Sequence, residues 1–300
     1  MDISTWKTAL EVYTKFKQKH GREIGRKKLQ NILDVPEHEA RSILWAIKHK
    51  HIISMQAVEY DTPKKDLELI IADIHIPYED KIALQTLFNW LDTNDIKPTI
   101  ITILGDLLDF YKISRFSKDP TRKNVAVEIE LGKQFLIDLR NRFPDVRIIL
   151  YNGNHENRLQ KYIWDNAPQL TELVRNLLPE KLGLKELNIE FHETPFRIGK
   201  LWHLHGHERG RGGYNAEYIT NVMWKYIHDN FIVAHWHRRQ EKIFKSISGK
   251  TYYGGVVGCL CQDMDYAILN NWTKGFALVY YDINGFFNVK LYDIIDGYVL

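Results

Sequence analysis

Asp73 and His75 stand two residues apart, and Asp106 and Asp109 lie three apart within Gly105-Asp106-Leu107-Leu108-Asp109. Asn154 and His155 follow in Asn152-Gly153-Asn154-His155-Glu156. Then come His203, His205 and His207 at alternating positions, and His235 and His237 on either side of Trp236. Carboxylate, amide and imidazole groups hold divalent cations, and a mixed set suits Mn, Fe or Zn better than Mg or Ca, which prefer oxygen alone. Each cluster alone is ordinary, since Gly-Asp and Asn-Gly are turn dipeptides and His-x-His is a common polar pair. Of the 13 histidines, however, nine lie beyond residue 65 and seven of those fall in these clusters.

Such donors need elements to hold them. Four of the five clusters follow short apolar runs: Leu67 to Ala72, Thr99 to Leu104, Val146 to Tyr151, and Phe231 to Ala234. Runs of that length and Ile/Leu/Val content read as buried strands, so each cluster is expected where a strand ends. On an extended backbone residues i and i+2 share a side, which would let Asp73 and His75 reach one ion and put the three alternating histidines on one face. Gly105 permits a sharp turn that projects Asp106 over its strand end, and Asp109 is expected in the first turn of a following helix. Amphipathic spacing predicts crossover helices over Asp80–Thr93 and Val125–Arg142, and a further one over Gln160–Leu178 interrupted by Pro168. Residues 252–259 and 275–281 have strand character and would supply a second sheet.

In order and spacing, Asp-x-His, Gly-Asp-x-x-Asp, Gly-Asn-His-Glu, His-Gly-His and His-x-His resemble the motifs of the calcineurin-like metallophosphoesterases, over roughly Asp66 to the C-terminus. The resemblance implies an α/β fold, a four-layer α-β-β-α sandwich. It also implies two divalent metals, with Asp73, His75 and His237 on one, Asn154, His205 and His235 on the other, and Asp106 bridging. His155 would be a non-ligand imidazole near the leaving group, oriented by Asp109. Ala234 stands where the last motif usually has glycine. His205 is favoured over His207 as the ligand because it precedes Gly206, leaving His207 to reach substrate and His203 to pack within its strand. Gly258-Cys259-Leu260-Cys261, with Asn271-Trp272, also resembles versions of this domain found in bacteriophage genomes.

The chemistry implied is hydrolysis of a phosphate ester by a water made acidic between two cations, with a carboxylate-paired histidine protonating the leaving oxygen. Arg158, Arg209 and Arg211, the last two in a glycine-rich stretch after His205, are candidate phosphate contacts beside His207.

The 300 residues, 44% hydrophobic, suffice for a large core and a small extra domain. No apolar run is long enough to span a membrane, and the N-terminus lacks a secretory pattern. Cys259 and Cys261 are the only cysteines, which suits a reduced cytoplasm, that of the host if the chain is phage-encoded; a Cys-x-Cys metal site is the alternative. Residues 1–65 hold 13 Lys/Arg against 8 Asp/Glu, so the net +3 arises from +5 there and −2 elsewhere. Trp6, Leu10, Tyr13 and Phe16 recur at helical spacing with Gly21 as a stop. A second helix is expected over Arg26–Leu33, and a third over Glu37 to about Lys50. Three short helices resemble a helix-turn-helix or winged-helix module whose Arg41, Lys48 and Lys50 could meet DNA; a bundle for protein contact is the alternative. The expected domains are 1–60, a linker at 61–65, and 66–300. The favoured function is a phosphodiesterase or nuclease acting on DNA with Mn. The alternatives are a phosphomonoesterase acting on nucleotides or phosphoproteins, and a DNA-binding protein with an inactive hydrolase domain.

Overall fold

A computed structural model describes residues 3–20, 24–35, 40, 44, 59–60, 66–115, 119, 121–174, 176–209, 218–264 and 270–300. The chain divides into two compact units, Met1–Gln56 and Ala57–Leu300. That division precedes the expected linker at 61–65 because β1 (Glu59–Tyr60) pairs in parallel with β6 (Phe196–Ile198) of the larger unit. The linker itself lies outside the described residues.

In the first unit α1 (Ile3–His20) and α2 (Arg26–Leu33) bury Ala9, Tyr13 and Leu29 with Ile24 and Leu44. Asp34 ends α2 in the left-handed region (φ 51°), and Val35 N–H closes on the Gln30 carbonyl. The predicted third helix falls outside the described residues apart from Ala40 and Leu44, both helical, so Arg41, Lys48 and Lys50 also fall outside.

The second unit holds two sheets. One runs β13-β12-β11-β2-β3-β4-β5, with β2 (Leu67–Ile71), β3 (Ile100–Ile103), β4 (Arg147–Tyr151) and β5 (Ile189–His192) parallel. Its antiparallel flank is β11 (Gly275–Tyr281), β12 (Phe287–Ile295) and β13 (Tyr298–Val299). The other runs β1-β6-β7-β8-β10-β9, in which β7 (Leu201–His203), β8 (Phe231–Val233) and β10 (Thr251–Val256) are parallel; β9 (Gln240–Lys245) pairs antiparallel to β10.

Side chains alternate across a strand, and that alternation sets the layers. Leu69, Ile71, Ile101, Ile103, Ile148 and Leu150 face α3 (Lys81–Thr93), α4 (Val125–Arg142) and α6 (Leu177–Leu182). Ile70, Ala72, Ile149 and Tyr151 face the other way, onto Phe196, Ile198, Leu201 and Ile232 of the second sheet. Phe231, Val233 and Val256 carry α7 (Ile219–Ile227) on its outer face. The order is α-β-β-α, and strands covered on both faces read as continuous apolar runs.

Helices α3 and α4 occupy the predicted spans. Asp80 caps one through Ala83 N–H and Asn124 caps the other through Val127 N–H. The segment expected over Gln160–Leu178 is instead α5 (Glu156–Asn166), a 3-10 stretch (Pro168–Val174) and α6. Pro168 disfavours an α conformation at the preceding residue, and Ala167 is accordingly turned out of the helix (φ −151°, ψ 57°).

Candidate metal centre

Strands β2, β3 and β4 end at one edge of the first sheet, and β7 and β8 end beside it on the second. The five clusters therefore meet there, at the carboxyl ends of parallel strands. Their backbone does not continue the strands as the two-residue spacing suggested. Asp73 and His75 have φ of 50° and 52°, Asp106 51°, His235 73° and His237 57°. Left-handed kinks, and not an extended chain, aim these side chains inward. Gly105 (φ 90°) turns the chain against the ring of His205, and Gly206 (φ 119°) lies where a Cβ would strike Trp236. Asp109 sits in the loop after a bridge between Ile76 and Leu108, outside any helix.

Around Asp106 the donors converge. Its Oδ2 lies 3.1 Å from His205 Nε2, 3.8 Å from His75 Nε2 and 3.8 Å from His155 Nε2. His75 Nε2 and His237 Nε2 approach to 3.1 Å, and Asp73 Oδ1 is 3.6 Å from His237 Nε2. On the other side His205 Nε2 is 3.1 Å from Asn154 Oδ1, and the His205 and His235 rings lie 5.1 Å apart. Asp106, His205 and His235 form one group able to hold an ion; Asp73, His75 and Asp106 form another. The chain thus brings Asp73, His75, His237 and Asp106 to one side and Asn154, His205, His235 and Asp106 to the other, with His205 rather than His207 against Asp106.

The imidazoles are aimed by their far nitrogens. His205 Nδ1 lies 2.7 Å from the Leu104 carbonyl, and His75 Nδ1 lies 3.1 Å from Asp109 Oδ1. His237 Nδ1 faces Cys261 Sγ at 3.8 Å, a contact the sequence reading had not assigned. Cys259 and Cys261 are both free and buried. His155 Nδ1 lies 2.8 Å from the Asp109 carbonyl and 3.1 Å from its Oδ1, so Asp109 orients both His155 and His75. Arg158 donates to the Asp109 carbonyl at 2.7 Å and faces His155 Nε2 at 2.7 Å.

The donors fit cations. Asp73 and Asp106 are almost wholly buried, and Asp73 Oδ1 has no hydrogen-bond partner. Burial, with Asp106 nearby, pushes Asp73 up to about 7. His75 and His205 are desolvated, yet the surrounding carboxylates hold them up at about 9 and about 10. Protons on these two rings stand in for positive charge that the three buried carboxylates require. Burial pushes His235 down to about 3, leaving its ring neutral and able to ligate.

Two further carboxylates serve the site with no role assigned to them from the sequence. Glu156 accepts backbone N–H groups of Asp106, Leu108 and Gly153 at 2.9–3.0 Å. Glu208 accepts those of His205 and Gly206 and the hydroxyl of Tyr151. Each directly follows a histidine of the motifs (His155-Glu156, His207-Glu208), which was the available signal. His207 lies at the rim, 3.2 Å from Asn157 Nδ2, pushed down to about 4 by burial. His203 is not at the site. It stacks on Phe196 (4.8 Å, 14°) and pairs with Glu68 at 3.0 Å between the sheets. The side chain of Arg209, and all of Arg211, lie outside the described residues.

No family model matches the chain. It is 27% identical over 233 residues to the Gene 54 protein of Mycobacterium phage L5, spanning 71% of this chain and 88% of that protein. Among solved structures it is similar to a hypothetical protein from Pyrococcus horikoshii OT3, with 12% identity over 76% of this chain and 87% of the other at a TM-score of 0.45. It is also similar to Vps29 of Chaetomium thermophilum (14% identity, 77% and 92% coverage, TM-score 0.38). A third is nuclease MPE of Pseudomonas putida (14% identity, 72% and 84% coverage, TM-score 0.34). The chain resembles the calcineurin-like metallophosphoesterases in the order of its five motifs, in its four layers, and in the site where those motifs converge.

Proposed function

We propose that this chain is a metal-dependent phosphoesterase of the calcineurin-like type, and within that class a phosphodiesterase or nuclease acting on DNA. One observation carries the reading: carboxylates, an amide and imidazoles from five separate segments meet around Asp106. Asp73, His75 and His237 would hold one cation and Asn154, His205 and His235 the second, with Asp106 shared; the mixed donors favour Mn, with Fe or Zn as alternatives. Two such cations supply charge for the phosphoryl oxygens and make a water acidic.

The chain's own groups do the rest. His155 is buried, which pushes it down, and Arg158 faces its Nε2 at 2.7 Å. A substrate that draws Arg158 onto its phosphoryl oxygens would free that nitrogen to take up a proton from solvent water and pass it to the leaving oxygen, while Asp109 holds the ring in place. His207 at the rim of the site, and Arg209 and Arg211 in the glycine-rich stretch of sequence that follows, would meet substrate.

The excess of +5 in residues 1–65 supports a nucleic-acid substrate and a role for Arg41, Lys48 and Lys50 in delivering it. Similarity to a phage protein, two free cysteines, and no described helix able to cross a membrane support action in a host cytoplasm.

Hydrolysis of bis-p-nitrophenyl phosphate against p-nitrophenyl phosphate, with Mn, tests the class. Cleavage of the monoester alone sinks the nuclease reading in favour of a phosphomonoesterase, and cleavage of neither favours a DNA-binding protein. Replacing Arg41, Lys48 and Lys50 by Ala in the full chain should weaken cleavage of labelled DNA while sparing the small diester.

A further inference from the structure

Beside the candidate metal centre the larger unit has a solvent-open cleft of about 80 Å³ bounded by Tyr78, Asp109, Tyr111, Arg122, Gln262, Asp263 and Met264. Its walls belong to the loops that carry the site. Tyr78 follows His75 by three residues, Tyr111 follows Asp109 by two, and Gln262 follows Cys261, bonding through its backbone N–H to the Tyr78 carbonyl at 2.8 Å. Asp109 belongs to both places, so whatever fills the cleft lies next to the groups that handle the scissile phosphate.

The cleft is built around a pre-ordered cation. The Arg122 guanidinium lies over the Tyr78 ring at 5.0 Å and over the Tyr111 ring at 5.8 Å, and Asp119 flanks its Nε at 3.7 Å. A guanidinium held by aromatic faces keeps its planar fork of donors and loses little entropy on binding an anion. The described part of the strap that carries it, residues 111–115, 119 and 121–124, holds Lys112, Arg115, Arg122 and Lys123 against one acid, Asp119. Aromatic residues interleaved with cations suit a nucleic-acid strand better than a compact ester.

Of the acidic groups nearby, Asp119 faces Arg122 directly while its other oxygen accepts the Thr121 N–H and hydroxyl, and the rest are engaged elsewhere. Asp109 is bonded by His75 and His155, and Asp263 on the cleft wall is paired with Lys274 at 3.2 Å. Glu128, which accepts the Phe110 N–H behind the strap, is pushed up to about 8 by burial and so adds little negative charge at neutral pH.

We infer that this cleft is a substrate subsite for single-stranded nucleic acid, in which Arg122 holds the phosphate adjoining the one being hydrolysed. The inference rests on the phosphoesterase reading above and names the substrate side of that same site.

The test uses the full Mn-loaded chain, wild type against Arg122→Gln and Arg122→Lys. The substrates are a labelled oligothymidylate and bis-p-nitrophenyl phosphate. For Arg122→Gln the ratio of kcat/KM, oligonucleotide over small diester, should fall about tenfold, mainly through KM. That is the low end for a charge-assisted contact, as suits a side chain 30% exposed. The slope of log KM against log salt should shrink by about 0.7, one single-strand phosphate contact. Arg122→Lys should restore the slope while recovering only part of the affinity. An unmoved ratio, or an equal fall on both substrates, overturns the subsite. If the wild type hydrolyses no ester, it is the phosphoesterase reading that fails. Oligonucleotide anisotropy then judges the cleft alone: tenfold weaker binding by Arg122→Gln supports it, and equal binding overturns it.

Discussion

Replacing Glu156 by Gln asks whether a carboxylate behind the metal centre, contacting no substrate, governs its assembly. Glu156 is 2% exposed. Its Oε2 accepts the backbone N–H of Asp106 at 3.0 Å and of Gly153 at 2.9 Å, and Oε1 accepts that of Leu108 at 2.9 Å. It thereby ties the loop bearing Asp106 to the loop bearing Asn154. Glutamine has the same shape but one acceptor oxygen. With that oxygen toward Asp106 and Gly153, its NH2 meets the Leu108 N–H, and a buried donor left unmet costs about 1–3 kcal/mol. The two remaining bonds fall from charge-assisted to neutral, about 1 kcal/mol each. Easier burial of a neutral group offsets part of this, since burial and the charge of Asp106 already push Glu156 up to about 7. A net loss of about 3 kcal/mol should lower Tm by about 6–12 °C in a unit of this size. Calorimetry of metal-free and Mn-loaded protein, with metal content by mass spectrometry, reads both consequences. The ion at Asn154, His205 and His235 should be the weaker held. A Tm within about 2 °C of wild type and full metal content would refute the role given to Glu156.

Asp106→Asn should strip both ions and abolish turnover, because its carboxylate faces both donor sets; metal analysis and the diester assay check this. His155→Ala should keep its metal and lose about 10²–10⁴-fold in rate, so equal metal loss in both variants would overturn their separate roles. Glu68→Gln should cost about 3–5 kcal/mol, read from the urea midpoint. Burial opposes the ionisation of Glu68, but His203 and bonds from Thr102 and Tyr281 outweigh that and hold its carboxyl below the usual range. Its contribution is therefore complete above the unfolded glutamate value of about 4.3 and declines as pH falls below it. A gap between wild type and Glu68→Gln that widens in acid would contradict this.

The strands and their ends could be read from sequence because a strand buried on both faces leaves an unmixed apolar run, and Asp73, Asp106, Asn154 and His235 each stand at the exit of one. Helices α3 and α4 were equally plain, since Asp80 and Asn124 are capping residues just ahead of an amphipathic period. Local spacing misled where the chain leaves its strand. Alternation places Asp73 and His75 on one side only if the backbone stays extended, and both residues turn left-handed. The same holds for His203, His205 and His207. β7 stops at His203, Gly206 reverses the chain, and the three rings separate into a core pair with Glu68, a site donor and a rim group. Glu156 and Arg122 were missed for another reason: the Asp106 and Leu108 amides that meet one and the Tyr78 ring that holds the other are distant in sequence, whereas Glu208 meets the local amides of His205 and Gly206.

The left-handed candidate ligands bear on what holds this edge of the sandwich together. A residue other than glycine kept at such a φ costs about 1–3 kcal/mol and persists only where its surroundings over-determine it. Here the restraints are the ligand loops themselves. Asp73 N–H bonds to the Gly105 carbonyl and His75 N–H to that of Asp106, joining the loops after β2 and β3. His155 N–H bonds to Asp106 Oδ1, which adds the loop after β4. His235 N–H bonds to Asp73 Oδ2 at 2.9 Å, which crosses from one sheet to the other. The kinks at His75 and His235 are thus fixed by Asp106 and Asp73, which are themselves candidate donors, and the Asp73 carboxylate would serve as both ligand and brace. Buried carboxylates are costly until positive charge meets them, so cation binding repays burial and backbone strain together. The free energy of binding a cation there would then be in part free energy of holding the two sheets in register at this edge.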